Sequence, residues 1–247
     1  MKKLLNFALK LLNYKLLNLS LYNKIIIVEN LKKKKIYKIS FSKSSNKYIS
    51  NEYRGYIWYL KKIKKNFSLD IDKRNLYFLK VEKFQGYKVD YHSDAKANQS
   101  EIYKVINYYK KIWPSKKIVP VHGDFTLANL IFLKNSKELK IIDWENFKKS
   151  GEPWGFDLAY FFLSIAILPN LNKNKIDLEE KKELKKIWGQ IKKMIKDKKL
   201  SKDPVSYFLN LFEKKSYWKK LNSKFGNKFF LNKANESLLI DIKKTIN

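Results

Sequence analysis

Leu5, Ala8, Leu9, Leu12 and Leu16 recur at helical spacing through Met1–Leu17, between Asn6, Lys10, Asn13 and Lys15. That pattern predicts an amphipathic helix rather than a secretory leader, because the polar residues break the apolar run too early. Lys24–Glu29 and Lys34–Phe41 are rich in β-branched and aromatic residues and flank a polar basic turn, so they predict an antiparallel pair. Ser44–Asn46 then offer capping groups, and Tyr48, Ile49, Tyr53, Tyr56, Ile57 and Leu60 carry a helix to Lys61. Asn75–Phe84 returns to strand and ends at Gln85-Gly86.

Beyond Gly86 the period changes. A helix is predicted over Asp94–Trp113, stopped by Pro114, then a short strand Ile118–Val121 with Pro120 in it. After a polar loop, Leu130–Leu133 and Leu139–Ile142 form a hairpin around Lys134–Lys137. Helical patterns cover 156–168, about 176–198, 204–220 and 235–246. The expected fold is therefore α+β, with residues 1–86 as a small lobe of antiparallel sheet plus helix and residues 87–247 as a larger, mostly helical lobe. The longest apolar stretch, Leu158–Leu168, is too short to span a bilayer, so a cytoplasmic protein is expected.

Composition sharpens the exclusions. The 247 residues contain no cysteine and two histidines, which removes disulfides, thiolate nucleophiles, cysteine-ligated metal and three-histidine centres. The formal charge is +31, yet only Arg54 and Arg74 are arginine. Lysine, asparagine, isoleucine, phenylalanine and tyrosine all have A/T-rich codons, so much of the charge reads as codon drift onto solvated faces. Readers of nucleic acid depend on arginine for bidentate contacts, and no specific nucleic-acid partner is expected. The leading helix is expected to pack on the domain, with contact to an anionic membrane face as the alternative.

The chemistry gathers between Val121 and Trp144. His122-Gly123-Asp124, then Asn129, then a hairpin ending in Ile141-Ile142-Asp143 bring two carboxylates and an amide to the ends of paired strands. Such a group suits oxygen-coordinated Mg²⁺ plus one free carboxylate. Magnesium takes few protein carboxylates alongside substrate phosphates, so a donor set this sparse implies a phosphate-bearing ligand, with a nucleotide the obvious candidate.

The pattern H-x-D-x-x-x-x-N, followed by Asp143-Trp144-Glu145-Asn146 and Gly155-Phe156-Asp157-Leu158-Ala159, resembles the aminoglycoside phosphotransferase and choline kinase superfamily. The resemblance implies a protein-kinase-like fold and ATP and Mg²⁺ as cofactors. It implies Asp124 as catalytic base, Asn129 and Asp143 as metal ligands, and His122 as structural support. Lys38 on the second strand and Glu52 fourteen residues later match the family's phosphate-binding lysine and its partner carboxylate, with Lys35, Lys43 and Lys47 as rivals. Val81–Gly86 matches the hinge, with Glu82 and Phe84 as nucleotide-contacting positions. Asp157 would brace the catalytic loop. The first glycine is Gly55, so no glycine-rich loop precedes it to cover the phosphates.

The family's acceptor is an alcohol group on a small molecule. Trp154, Trp188, Tyr207, Phe208 and Trp218 are available to face a choline-like amino alcohol, although helix packing claims aromatics too. Glu179, Glu180 and Glu183 are interleaved with lysines, and a +31 protein repels a polycationic drug. A choline-like amino alcohol or a sugar is expected. A catalytically weak kinase-like binding module and a basic polyanion binder stand as the alternatives.

Overall fold

The structure is a computed structural model that describes residues 9–20, 24–64, 68–74, 77–134, 138–214, 217–218 and 230–247. Contacts divide the chain into two units. The first holds the described residues through Gln85 together with Asp143–Lys149, and the second holds Gly86–Ile142 and Ser150–Asn247.

In the first unit a five-stranded antiparallel sheet is built from β1 (Tyr14–Ser20), β2 (Ile25–Asn30), β3 (Lys35–Ser40), β4 (Leu69–Asp72) and β5 (Phe78–Glu82), in the order β1-β2-β3-β5-β4. β2 and β3 pair without a slip from Ile25↔Ser40 to Asn30↔Lys35. The helix α1 (Asn46–Ile63) turns Tyr48, Ile49, Tyr56 and Tyr59 inward, and Glu52 shares that buried stripe. Ile25, Val28, Tyr37, Leu79 and Val81 complete the core. Trp144 and Phe147 pack here as well, with Trp58 5.7 Å and Tyr59 5.4 Å from the Trp144 ring.

In this unit two elements differ from the sequence expectation. Residues 9–11 are helical, but the chain turns at Leu12-Asn13 and Tyr14–Ser20 is a strand, so the amphipathic helix expected through Leu17 does not extend that far. Asn13 takes a left-handed conformation (φ 60°), which a short amide side chain tolerates, and the segment after it finds hydrogen-bonding partners along β2. Residues 1–8 of that helix lie outside the described residues. The expected Asn75–Phe84 strand is shorter, Phe78–Glu82, and gains β4 as a neighbour from a segment with no strand signal of its own.

The second unit starts with α2 (Gln99–Ile112), then β6 (Ile118–Val121), β7 (Leu130–Phe132), β8 (Leu139–Ile141) and β9 (Lys148–Pro153), the last assigned to this unit from Ser150 on. β7 pairs with β8, and β6 with β9. The helices that follow among the described residues include α3 (Phe156–Ile167), α4 (Leu178–Met194), α5 (Lys198–Lys202), α6 (Pro204–Lys214) and α7 (Glu236–Ile246). Every residue of α3 is buried, and Phe156, Phe161, Phe162 and Phe208 are among the largest fully buried side chains. No helix among the described residues is long and apolar enough to cross a membrane.

Candidate active site

Seven of the residues singled out from the sequence fall into two clusters, with Lys38, Glu52 and Asp143 in the first unit and His122, Asp124, Asn129 and Asp157 in the second. In the first unit, Lys38 lies at the middle of β3 and Glu52 on the buried face of α1. Asp143 begins the segment that carries Trp144 into the core. The Lys38 Nζ stands 2.8 Å from Glu52 Oε1 and donates to Asp143 Oδ1 at 2.5 Å. Glu52 is 1% exposed and Asp143 37%. Asp143 adopts a left-handed conformation (φ 65°), a strained choice outside glycine, asparagine and aspartate.

One ammonium faces two carboxylates, so the cluster carries an excess negative charge. Burial pushes Glu52 up to about 7 against the pull of Lys38, with Asp143 adding to the rise. Burial alone would lower Lys38, but Asp143, Glu52 and Glu145 outweigh it and hold the ammonium well above its usual value. Tyr56, one helical turn after Glu52, hydrogen-bonds the Asp143 backbone, and burial beside Glu52 keeps its phenol protonated. Of the rival lysines, Lys35 is spent on Ser68 Oγ at 2.8 Å.

In the second unit the loop after β6 is tied down at both ends. Asp157, at the start of α3 and fully buried, accepts from the His122 N–H at 2.8 Å and the Gly123 N–H at 3.1 Å. Gly123 needs its φ of 83° for both amides to turn inward. The His122 ring bridges two backbone groups, with Nε2 2.9 Å from the Ile142 carbonyl and Nδ1 accepting from the Asp124 N–H at 3.2 Å. A carbonyl only accepts and an amide N–H only donates, which assigns the neutral Nε2–H tautomer. Asn129 Nδ2 donates to the Asp124 carbonyl at 2.8 Å and to its Oδ2 at 3.0 Å. The Ile142 N–H closes the set on the Asn129 carbonyl at 3.0 Å. Asp124 itself is only half-buried.

Burial raises Asp157 to about 7; the two backbone donors oppose the rise, while Glu152 and Asp124 add to it. Tyr160, one turn along α3 and 2% exposed, hydrogen-bonds the Asp124 carboxylate through its hydroxyl. Burial keeps that phenol protonated and therefore a permanent donor. Sequence reasoning missed Tyr160, although its i,i+3 relation to Asp157 places both on one helix face. It also missed Glu152, fully buried, which accepts the Trp218 Nε1–H at 2.8 Å.

The hinge positions are plainer. The Glu82 N–H donates to the Ser68 carbonyl at 2.9 Å, its Oε2 accepts the Ser68 N–H at 3.2 Å, and the Lys83 N–H donates to Lys34. Phe84 is half-buried beyond them. Among the described residues no three Asp, Glu, His or Cys side chains gather as a protein-only metal centre. A Mg²⁺ held largely by phosphates needs less. The excess negative charge at Lys38, Glu52 and Asp143, with Asp143 partly open, fits a hard cation.

Residues 67–192 match the sequence model of the phosphotransferase enzyme family. The chain belongs to that family. It is a phosphotransferase with the α+β architecture expected from its sequence. Solved structures similar to it include a candidate aminoglycoside phosphotransferase of Ralstonia eutropha JMP134, with TM-score 0.43, 14% identity and 89% of both chains covered. The PK-1 kinase of Cydia pomonella granulovirus gives TM-score 0.41 at 16% identity, over 100% of this chain and 99% of that one. A Plasmodium vivax ethanolamine kinase gives 0.39 at 12%, over 95% and 80%. Comparison with curated proteins gives no match.

Proposed function

We propose that this phosphotransferase transfers the terminal phosphoryl group of Mg²⁺-bound ATP to a hydroxyl of a small molecule. The supporting observation is the hydrogen-bond set around Asp124. Neutral donors from Asn129 and Tyr160 orient its carboxylate, on a loop whose backbone is anchored by Asp157 and His122. A carboxylate that is fixed yet half-buried is suited to accept the proton of an attacking hydroxyl. Asn129 presents Nδ2 to Asp124, so its Oδ1 is the atom that would meet the metal, with Asp143 as the second ligand. Bound there, Mg²⁺ would neutralise phosphate charge. Lys38, held by Glu52, would pair with the phosphates, and Glu82 and Phe84 would border the base.

The acceptor reading draws on burial. Glu180 is spent on the Ala95 N–H, and Glu183 on Gln99 and Tyr103, so neither is available to a polycation. Trp154, Trp188, Phe208 and Trp218 are all buried in helix packing, leaving half-buried Tyr207 alone of the five aromatics weighed for a quaternary ammonium. A sugar-type hydroxyl fits better than a choline-like amino alcohol.

Replacing Asp124 with Asn tests the reading. Turnover with ATP and a panel of sugars and amino alcohols is expected to fall at least about a hundredfold, with the Mg²⁺·ATP thermal shift retained. Undiminished turnover would remove Asp124 as the base. A wild-type protein with a nucleotide shift and no turnover on any acceptor would favour the binding-module alternative.

A further inference from the structure

Asn30 and Tyr14 pair at one end of the sheet, and the Leu31 N–H reaches the Asn13 carbonyl at 3.0 Å. The turn at Leu12-Asn13 and the β2–β3 hairpin tip, residues 31–34, are therefore side by side. Large apolar side chains stand out from both: Leu11 is 70% exposed, Leu12 67% and Leu31 51%. The surrounding charge has one sign. Lys10, Lys32, Lys33 and Lys34 are all exposed, and the hairpin turn is bridged by Asn30, whose Oδ1 accepts the Lys33 N–H at 2.8 Å. Across residues 1–51 the one acidic residue is Glu29, which is buried and neutralised by Lys83 at 2.6 Å.

We propose that this tip is a docking surface for an anionic lipid bilayer. Each half of the feature demands something different from a partner. The lysines would suit any polyanion, but nucleic acid gives no return for three leucines held in water, and a leucine cluster on a soluble surface marks a site of association. A bilayer satisfies both halves at one depth, with leucines at the acyl boundary and ammonium groups at the phosphates. The proposal does not depend on the acceptor or on the catalytic roles. It places the membrane contact on a strand turn and a hairpin rather than on one face of a helix through residue 17.

The experiment is co-flotation of the full chain with vesicles of phosphatidylcholine alone and of equal parts phosphatidylcholine and phosphatidylglycerol. The wild type is expected to float with the anionic vesicles alone, and less so as salt rises. The variant Leu11→Ser/Leu12→Ser/Leu31→Ser should lose at least about tenfold in vesicle affinity while binding heparin as the wild type does. Lys32→Glu/Lys33→Glu should lose roughly fivefold or more per lysine on vesicles. Thermal midpoints check folding, and Leu31→Ser alone serves if the triple variant is unstable. Absence of wild-type binding to anionic vesicles overturns the proposal. So does wild-type vesicle affinity in a folded leucine variant, which would leave only attraction between lysines and polyanions.

Discussion

Two helical glycines with opposite surroundings offer a sharp test of how the first cluster is built. Gly55 lies in mid-α1, and a Cβ placed there would stand 2.5 Å from Trp144 Cβ, 2.9 Å from Cγ and 3.0 Å from Cε3. Gly189, in α4, has nothing within 4 Å of the same added atom. Glycine to alanine inside a helix gains about 0.5–1 kcal/mol from backbone entropy alone. At Gly189 that gain stands unopposed. At Gly55 the methyl meets a fully buried indole wedged between Trp58 and Tyr59, and overpacking of this kind costs about 1–3 kcal/mol. Gly55→Ala is expected to be net destabilising by about 1–2 kcal/mol and Gly189→Ala to be stabilising. At roughly 2–4 °C per kcal/mol for a chain of this size, their thermal midpoints should differ by about 3–12 °C. Because Trp144 directly follows Asp143, Gly55→Ala should also weaken the Mg²⁺·ATP thermal shift. Differential scanning fluorimetry of both variants, with and without nucleotide, is the assay. Equal stabilisation by the two alanines would refute the claim that Gly55 exists to admit Trp144.

Asp157→Ala orphans two buried N–H groups, on His122 and Gly123, at about 1–3 kcal/mol each. Urea unfolding should show the loss, and an unchanged midpoint would mean the loop holds itself. Glu52 predicts a pH effect with a definite sign. Its proton is held more tightly in the folded state, about 7 against 4.5, so its contribution is full below pH about 4.5 and fades as pH rises through about 7. The span is on the order of 3 kcal/mol. Glutamine mimics the protonated carboxyl, so thermal midpoints of wild type and Glu52→Gln should lie closest together at acid pH and separate as pH rises through about 7, the wild type falling below the variant towards pH 8; parallel curves would show that Glu52 does not titrate in this range.

Much of the architecture was legible because its causes are local. The β2–β3 pair announces itself by its β-branched and aromatic residues, α1 by a hydrophobic period that buries one face, and α3 by an unbroken apolar run that buries every face. β1 and β4 were not legible. Leu9, Leu12 and Leu16 keep helical spacing up to the turn and beyond it, and only the hydrogen bonds offered by β2 make Tyr14–Ser20 a strand. A strand at a sheet edge is specified by its neighbour as much as by itself.

The same division holds at the candidate site. The spacing of His122, Asp124, Asn129 and Asp143 is a property of the chain, and the family could be read from it. Which lysine of 52 meets Asp143 is a property of the fold, since Lys38 and Asp143 stand 105 residues apart and are joined by sheet register and the seating of Trp144. Tyr160 beside Asp124, the burial of Glu180 and Glu183, and the closing of Trp188 and Trp218 into the core were likewise decided in three dimensions. Sequence by itself determined which chemical groups are present and at what contour spacing. Tertiary structure alone decided which are desolvated and what faces them, because burial and a partner's charge set a group's protonation and availability, and both come from residues far away in the chain.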